Sequence, residues 1–569
     1  MPILSDLSQC QPATALARAS RPGTWRLIDY QTTEFAGTMV YAGPGLDAPE
    51  LALPLHCSGY HAIYLGVHYP GQFGDAHVRV RLSSDRAYTL VRAESQSAKD
   101  LDGIPAEFAA SHTSKAFADY QLSEAFWKIA DLRGQALHIS RFNEGGRGQD
   151  YAAMYSNLAH VRLEPLSPAQ IAAYEQELPR STTRTLIAMN DAGIFSELRT
   201  KEDIWAQLEP YADSDVDIML WATFKGETCT YRSQIARPLP PDGNPYDRFS
   251  SHEHWETALA ALEGKGIDFM REIASAAHAY DLRIFPSLRL QGPKPVPVEL
   301  EPGSFYERHP EFRCRGRDGQ PIAHLSLAFA EVRAHWISLL CEALSYGFDG
   351  VHIIFCRSWP FVFYEDPVIV HYRAAYGTEP GDEEDPRLWR TFAHFVNLFA
   401  RELKAAVGEM EQKLGKKIAI AYNTNTTHES NLRWGIDVET LVAEGLIDYL
   451  MPHPTFAKSA ADWLPPLAAL VKDTPVKLYP DLYPRRQPPA AALYSAQTLY
   501  DLGADGLTFW DTYSRVYRIS EWAMMKRLGH REEIALWREQ GRGDDYFRVL
   551  DFKWLGDRSG DPRFFQANG

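Results

Sequence analysis

Between Thr183 and Asp511 the apolar positions gather into eight short, nearly continuous runs, separated by longer stretches of helical period. The runs are RTLIAMN (184–190), VDIMLWATF (216–224), LRIFPSLRL (282–290), GVHIIFCR (350–357), KIAIAYN (417–423), IDYLMPH (447–453), VKLYPDL (476–482) and DGLTFWD (505–511). Runs of that length without polar alternation suit strands buried on both faces, as parallel strands are. Helical patterns lie between them: WETALAALEGKGIDFMREIASAAHAY before the third run, AEVRAHWISLLCEALSYG before the fourth, and RTFAHFVNLFARELKAAVGEMEQKL before the fifth. Eight strand-then-helix units predict an α/β fold of the (β/α)8 type, a TIM barrel with enlarged loops. A doubly wound open sheet would need a glycine-rich turn after its first strand, and MNDAGIF supplies none.

The preceding chain has a different rhythm. From Trp25 to Leu166, short β-rich segments are broken by Gly, Pro and Asp, as in GYHAIYLGVHY (59–69), AHVRVRLSS (76–84), ALHISRF (136–142) and LAHVRLEPL (158–166). Closely spaced strands of this kind predict a sandwich-like β domain. The expected organisation is an N-terminal β domain over 1–166, a helical linker over 167–183, the barrel over 184–530 and a capping extension over 531–569. The loop Gln291–Ala323, with its QGPKPVPVELEPG, is too long for a mere connector and is expected to fold over the barrel mouth.

Composition narrows the function classes. A chain of 569 residues with 45% hydrophobic and 23% charged positions is a multi-domain globular protein. Its net charge of −16 disfavours nucleic acid and anionic membranes, which need a concentrated basic face. No run has the roughly 18 apolar residues of a membrane span, and the first residues lack a signal-peptide core, so a cytoplasmic location is expected. The six cysteines are scattered without C-x-x-C spacing. His252-Glu253-His254 lacks the spacing of a zinc helix. A homo-oligomer stays open, since a protruding β domain can pack against a neighbouring barrel.

In a (β/α)8 barrel, the chemistry sits at the C-terminal ends of the strands. The polar and aromatic residues there are Asn190, Asp191, Trp221, Arg289, His352, Arg357, Tyr364, Asn423, His453, Tyr479 and Trp510, and these are the candidate substrate-binding residues. Flat aromatic rings stack on sugar C–H faces while Asp, Asn, Arg and His bond the hydroxyls, so the expected partner is a carbohydrate, with no cofactor and no metal. Asp349, Asp448 and Asp505 stand at strand starts and read as turn residues at the opposite end.

One stretch goes beyond architecture. RHPEFRCRGRDGQPIAHLSLAFAEVRAHWISLLCEALSYGFDGVHIIFCR (308–357) resembles the glycosyl-hydrolase-like barrels described as family 10 glycosylhydrolase-like, through His309-Pro310-Glu311-Phe312, Asp318-Gly319, Ala330-Glu331-Val332-Arg333, and Asp349-Gly350-x-His352 with Arg357 at the end. GIDVETLVAEGLIDYLMPHP (435–454) matches that family's pattern around the sixth strand. The resemblance implies a glycoside hydrolase. It also shows a departure: the family's inward Asp, two residues after the His, is Ile354 here.

Glycoside hydrolysis generally uses two carboxyl groups. Glu365 after the fourth strand is the candidate acid/base replacing the lost Asp, Asp481 after the seventh the nucleophile, and Asp511 after the eighth the reserve. The rival readings are a metal-dependent barrel hydrolase using His352, His453, Asp191, Asp481 and Asp511, and a sugar-binding protein without turnover.

Overall fold

The computed structural model describes residues 2–43, 47–68, 76–93, 121–141, 155–177, 183–190, 198–238, 255–290, 305–356, 359–454, 459–485, 487, 489–510, 512, 519–534 and 546–555. All eight apolar runs form strands: β1 (Leu186–Asn190), β2 (Val216–Lys225), β3 (Arg283–Arg289), β4 (Gly350–Ile354), β5 (Ala419–Thr424), β6 (Tyr449–Pro452), β7 (Lys477–Leu478) and β8 (Leu507–Phe509). Each pairs in parallel with the next from β1 to β7, and β8 returns to β1. Between β7 and β8, Asp481 pairs with Thr508; Leu482 N–H donates to the Thr508 carbonyl at 2.8 Å and Thr508 N–H to that of Pro480 at 2.9 Å. The parallel sheet thus closes on itself, in the manner of a TIM barrel.

Alternation sorts the side chains into two layers. Ile187, Met189, Ile218, Leu220, Phe285, Ile354, Ala421, Met451, Tyr479 and Trp510 form one apolar cluster inside the ring. Their neighbours in sequence, among them Ala188, Met219, Trp221, Ile284, Ile353, Tyr422 and Leu450, belong to the larger core beneath the helices. At the barrel floor the rings of Phe285, Tyr449 and Tyr479 meet, with centroids 6.5 and 5.3 Å apart. Gly350 lets that floor close, since a Cβ there would lie 2.6 Å from the Phe285 ring and 2.7 Å from the Ala419 carbonyl oxygen. Gly350→Ala is therefore expected to cost about 1–3 kcal/mol through overpacking, read as a lower urea midpoint.

The three strand-start aspartates share one task. Asp349 accepts from Ile284 N–H at 3.0 Å, Asp448 from Ile420 N–H at 2.7 Å and Asp505 from Leu478 N–H at 2.9 Å. Each carboxylate clips the start of the preceding strand, so all three lie at the end opposite the mouth, as turn residues there should.

The helical stretches follow the strands with one change. The long pattern before β3 divides into Trp255–Glu263 and α1 (Phe269–Ala279). Gly264 and Gly266 separate them, Gly266 at φ 72°, and Asp268 caps the second by accepting from Arg271 N–H at 3.1 Å. Next come α2 (Ala330–Leu344), α3 (Asp366–Tyr376) and α4 (Pro386–Leu414). Among the described residues, no helix is long and apolar enough to cross a membrane.

The N-terminal segments form antiparallel sheets. One holds Trp25–Thr32, Ala36–Ala42, Tyr60–His68, Gln121–Asp131 and His160–Pro165, and a smaller one holds Leu51–Pro54, Ala76–Leu82, Thr89–Ala93 and Ala136–Arg141. Arg79 donates to Glu209 and Lys128 to Asp213, at 2.9 and 3.1 Å. Both acceptors precede β2, so this domain attaches near the barrel's N-terminal end, away from the mouth.

The tail brings the largest difference from expectation. Phe547–Trp554 is a strand of the N-terminal sheet, antiparallel to Gln121–Asp131 on one side and to Trp25–Thr32 on the other. A sheet read from the first 166 residues is thus completed from the far end of the chain. Its lock is a buried carboxylate: Glu124 receives Arg548 Nε at 2.6 Å, Arg162 Nε at 2.8 Å and His160 Nε2 at 2.8 Å.

Candidate functional site

Counting outward from the floor by twos, the inward positions at the C-terminal strand ends are Arg289 on β3, Ile354 on β4, Asn423 on β5, and His453, Asp481 and Trp510 beyond β6, β7 and β8. All six are buried. The pairings β6–β7 and β7–β8 set three of them together. His453 Nδ1 donates to Asp481 Oδ2 at 3.0 Å, and Trp510 N–H donates to Asp481 Oδ1, also at 3.0 Å. The imidazole leans on the Trp510 indole with centroids 4.5 Å apart, and the guanidinium groups of Arg289 and Arg485 stand 5.9 and 5.4 Å from the same ring. Tyr483 meets the His453 ring edge-on at 6.1 Å and is 44% exposed, so it offers solvent the aromatic surface that fully buried Trp510 does not.

A second polar layer lies beneath. Ser287 Oγ is 2.8 Å from His352 Nδ1, and His352 Nε2 is 2.6 Å from Asn423 Oδ1. Because the Asn423 amide nitrogen donates to the Met451 carbonyl at 3.2 Å, its oxygen must accept from His352. In the neutral ring this puts the proton on Nε2 and leaves Nδ1 to accept from Ser287. Ser287 escaped the sequence reading, although it lies two residues before Arg289 and so shares its face.

The remaining candidates fall elsewhere. Glu365 is fully buried and its carboxylate holds loop backbone: Oε1 accepts from Arg315 N–H and Oε2 from Phe363 N–H, both at 2.9 Å. Burial pushes this carboxyl up, against the lowering effect of the Phe363 and Arg315 amides. It fastens the Arg313–Arg315 and Pro321–Leu325 hairpin to the loop after β4, and none of its hydrogen bonds reaches His453 or Asp481. The assignment of Glu365 as acid/base is therefore corrected to an anchoring role. Glu365→Ala is expected to cost about 1–3 kcal/mol by stranding buried amides, read as a lower melting temperature.

Trp221 is likewise corrected. It lies on the outer face of β2, its ring 6.4 Å from that of Phe269 in α1, and is core packing. Tyr479 belongs to the floor, its ring 5.3 Å from that of Tyr449. Asn190 follows the outer-face parity of Leu186 and Ala188, with its Oδ1 buried and unpartnered. Tyr364 lies next to Glu365 in the loop after β4. Asp191, Arg357, Asp511, the His252–His254 run and the first part of the 291–323 loop lie outside the described residues. Among the described residues, no group of three His, Cys, Asp or Glu side chains is gathered to hold a metal ion.

No protein-family model matches the chain, and no curated protein matches it. Among solved structures it is similar to α-L-fucosidase isoenzyme 2 from Paenibacillus thiaminolyticus, with 12% identity, a TM-score of 0.38 and coverage of 62% of this chain and 50% of that one. It thus spans about half the length of the fucosidase. An α-galactosidase from Thermus thermophilus solved with stachyose shares 13% identity at a TM-score of 0.34 over 90% of this chain and 96% of its own. A glycoside hydrolase family 18 N-acetylglucosaminidase from Paenibacillus barengoltzii shares 10% at 0.33, over 60% and 99%. These are remote likenesses, and the narrower family 10 resemblance has no counterpart among them.

Proposed function

We propose that the chain is a glycoside hydrolase that cleaves a glycosidic bond of an oligosaccharide or glycoside at the C-terminal end of its barrel. The observation that carries this reading is the buried Asp481–His453 pair set against Trp510, with Arg289 and Arg485 beside it. Hydrolysis passes through a transition state with positive charge on the sugar ring, and a carboxylate fixed in place beforehand stabilises that charge. Asp481 has the fixed geometry, since a backbone amide and an imidazole hold its two oxygens. His453 bonds a sugar hydroxyl, and Tyr483 gives the ring a face to stack on. With Glu365 withdrawn, Asp511, adjacent to Trp510 in sequence, is the second carboxyl group in the proposed pair.

The test is a panel of aryl glycosides and oligosaccharides, with release of aglycone and reducing ends as the readout. Turnover of at least one class is expected. Sugar binding without any bond cleavage would replace this reading with the non-catalytic one.

A further inference from the structure

Two loops that follow neighbouring strands meet at the rim. Trp359, from the loop after β4, and Trp434, from the segment after β5, stack with centroids 5.2 Å and planes 10° apart, and both are half-buried. Gly435 presses the second loop onto the top of α4, where a Cβ would lie 2.9 Å from the Phe392 carbonyl carbon. Beside the pair, Arg433 covers the Trp389 ring at 5.0 Å and its charge is answered by Glu384 and Glu429.

Packing accounts for the apolar part of this patch but not for its polar atoms. Trp359 Nε1 is buried and has no acceptor. Tyr364, 8% exposed, carries a buried hydroxyl with no partner. It adjoins Phe363, whose ring is 6.0 Å from that of Phe392. Buried polar groups in native structures are nearly always hydrogen-bonded, so an unbonded one calls for an explanation. A flat indole face with a polar N–H edge suits a sugar ring, which has an apolar face and a hydroxyl edge. The surrounding charges are mostly acidic, with those of Glu383, Asp382 and Asp385 reaching Tyr364, so a neutral sugar fits better than an anionic one.

We propose that Trp359, Trp434 and Tyr364 form a distal subsite for neutral sugar residues, so that the substrate is an oligosaccharide lying across the mouth from β4 and β5 toward Asp481. This rests on the hydrolase reading for its reacting end only; the subsite itself is a binding claim.

The experiment titrates the full chain with neutral α- and β-linked gluco-, galacto- and xylo-oligosaccharides from disaccharide upward, by calorimetry, for the wild type, Trp434→Ala, Trp434→Phe and Tyr364→Phe. Wild-type affinity for one series rises with chain length. Trp434→Ala loses about tenfold or more on the longest member, Trp434→Phe keeps most of the affinity, and Tyr364→Phe loses severalfold. A folded Trp434→Ala protein with unchanged length dependence, or a wild type whose affinity does not grow with length in any series, would overturn the subsite. If Trp434→Ala does not fold, Tyr364→Phe decides, because it removes only the hydroxyl. Length-dependent binding without turnover would sink the hydrolase reading and leave the subsite standing. Turnover of a simple aryl glycoside without length dependence would do the reverse.

Discussion

Glu124→Ala is expected to destabilise the protein by about 3–5 kcal/mol, the cost of removing one partner from a buried ionic cluster. Glu124 is 1% exposed, and its two oxygens collect His160, Arg162 and Arg548. Without it, positive groups face each other in the sheet, and Arg548 loses its hold where the tail strand must seat. Burial by itself would raise the Glu124 carboxyl, but hydrogen bonds from His160 and Arg548, with the nearby charges of His160 and Arg162, outweigh it and hold the group at about 2. The sign follows from linkage. The folded value lies below the unfolded one, so the contribution is fully present above the ordinary carboxylate range and is lost as pH falls toward about 2. Urea denaturation at neutral and acid pH should show a large gap between wild type and variant that narrows in acid. An unchanged midpoint at neutral pH would refute the lock.

The second large effect concerns activity. Asp481→Asn is expected to lower kcat by about 10²- to 10⁴-fold with little change in melting temperature. The amide oxygen can still accept from Trp510 N–H, so the loop after β8 keeps its tie. The amide nitrogen would face His453 Nδ1, which in the native pair donates to the carboxylate. The ring must then turn or change tautomer, and the fixed negative charge is gone. A variant within about twofold of wild type in kcat would remove Asp481 from the chemistry, whatever the substrate.

The strands of the barrel were legible because parallel strands leave a strong trace: IDYLMPH and KIAIAYN are apolar on both faces and flanked by polar breaks. The same property hides the phase. In VDIMLWATF the residues directly flanking Leu220 and Trp221 are apolar, so nothing beside them says that Leu220 points inward and Trp221 toward α1. Tyr479 and Asp481 share a face, yet two residues along a strand separate floor from mouth. His453 and Asp481 could be read because polar residues at strand ends had few other places to go. Glu365 could not, since a residue eleven positions beyond a strand follows the loop's path, and here the hairpin's amides captured it. The alternation in FRVLDFKW is visible, but its partners lie more than 400 residues away along the chain, beyond the reach of any local pattern.

That long-range pairing has a consequence for synthesis. The sheet strands made first are arranged on two sides of a slot, with Gln121–Asp131 at one edge and Trp25–Thr32 at the other. As the ribosome releases the chain, both edges wait, unbonded and open to wrong partners, until the whole barrel has emerged and Phe547–Trp554 follows it. The β domain therefore cannot be finished before the barrel that interrupts it, and its completion certifies that everything between has been made.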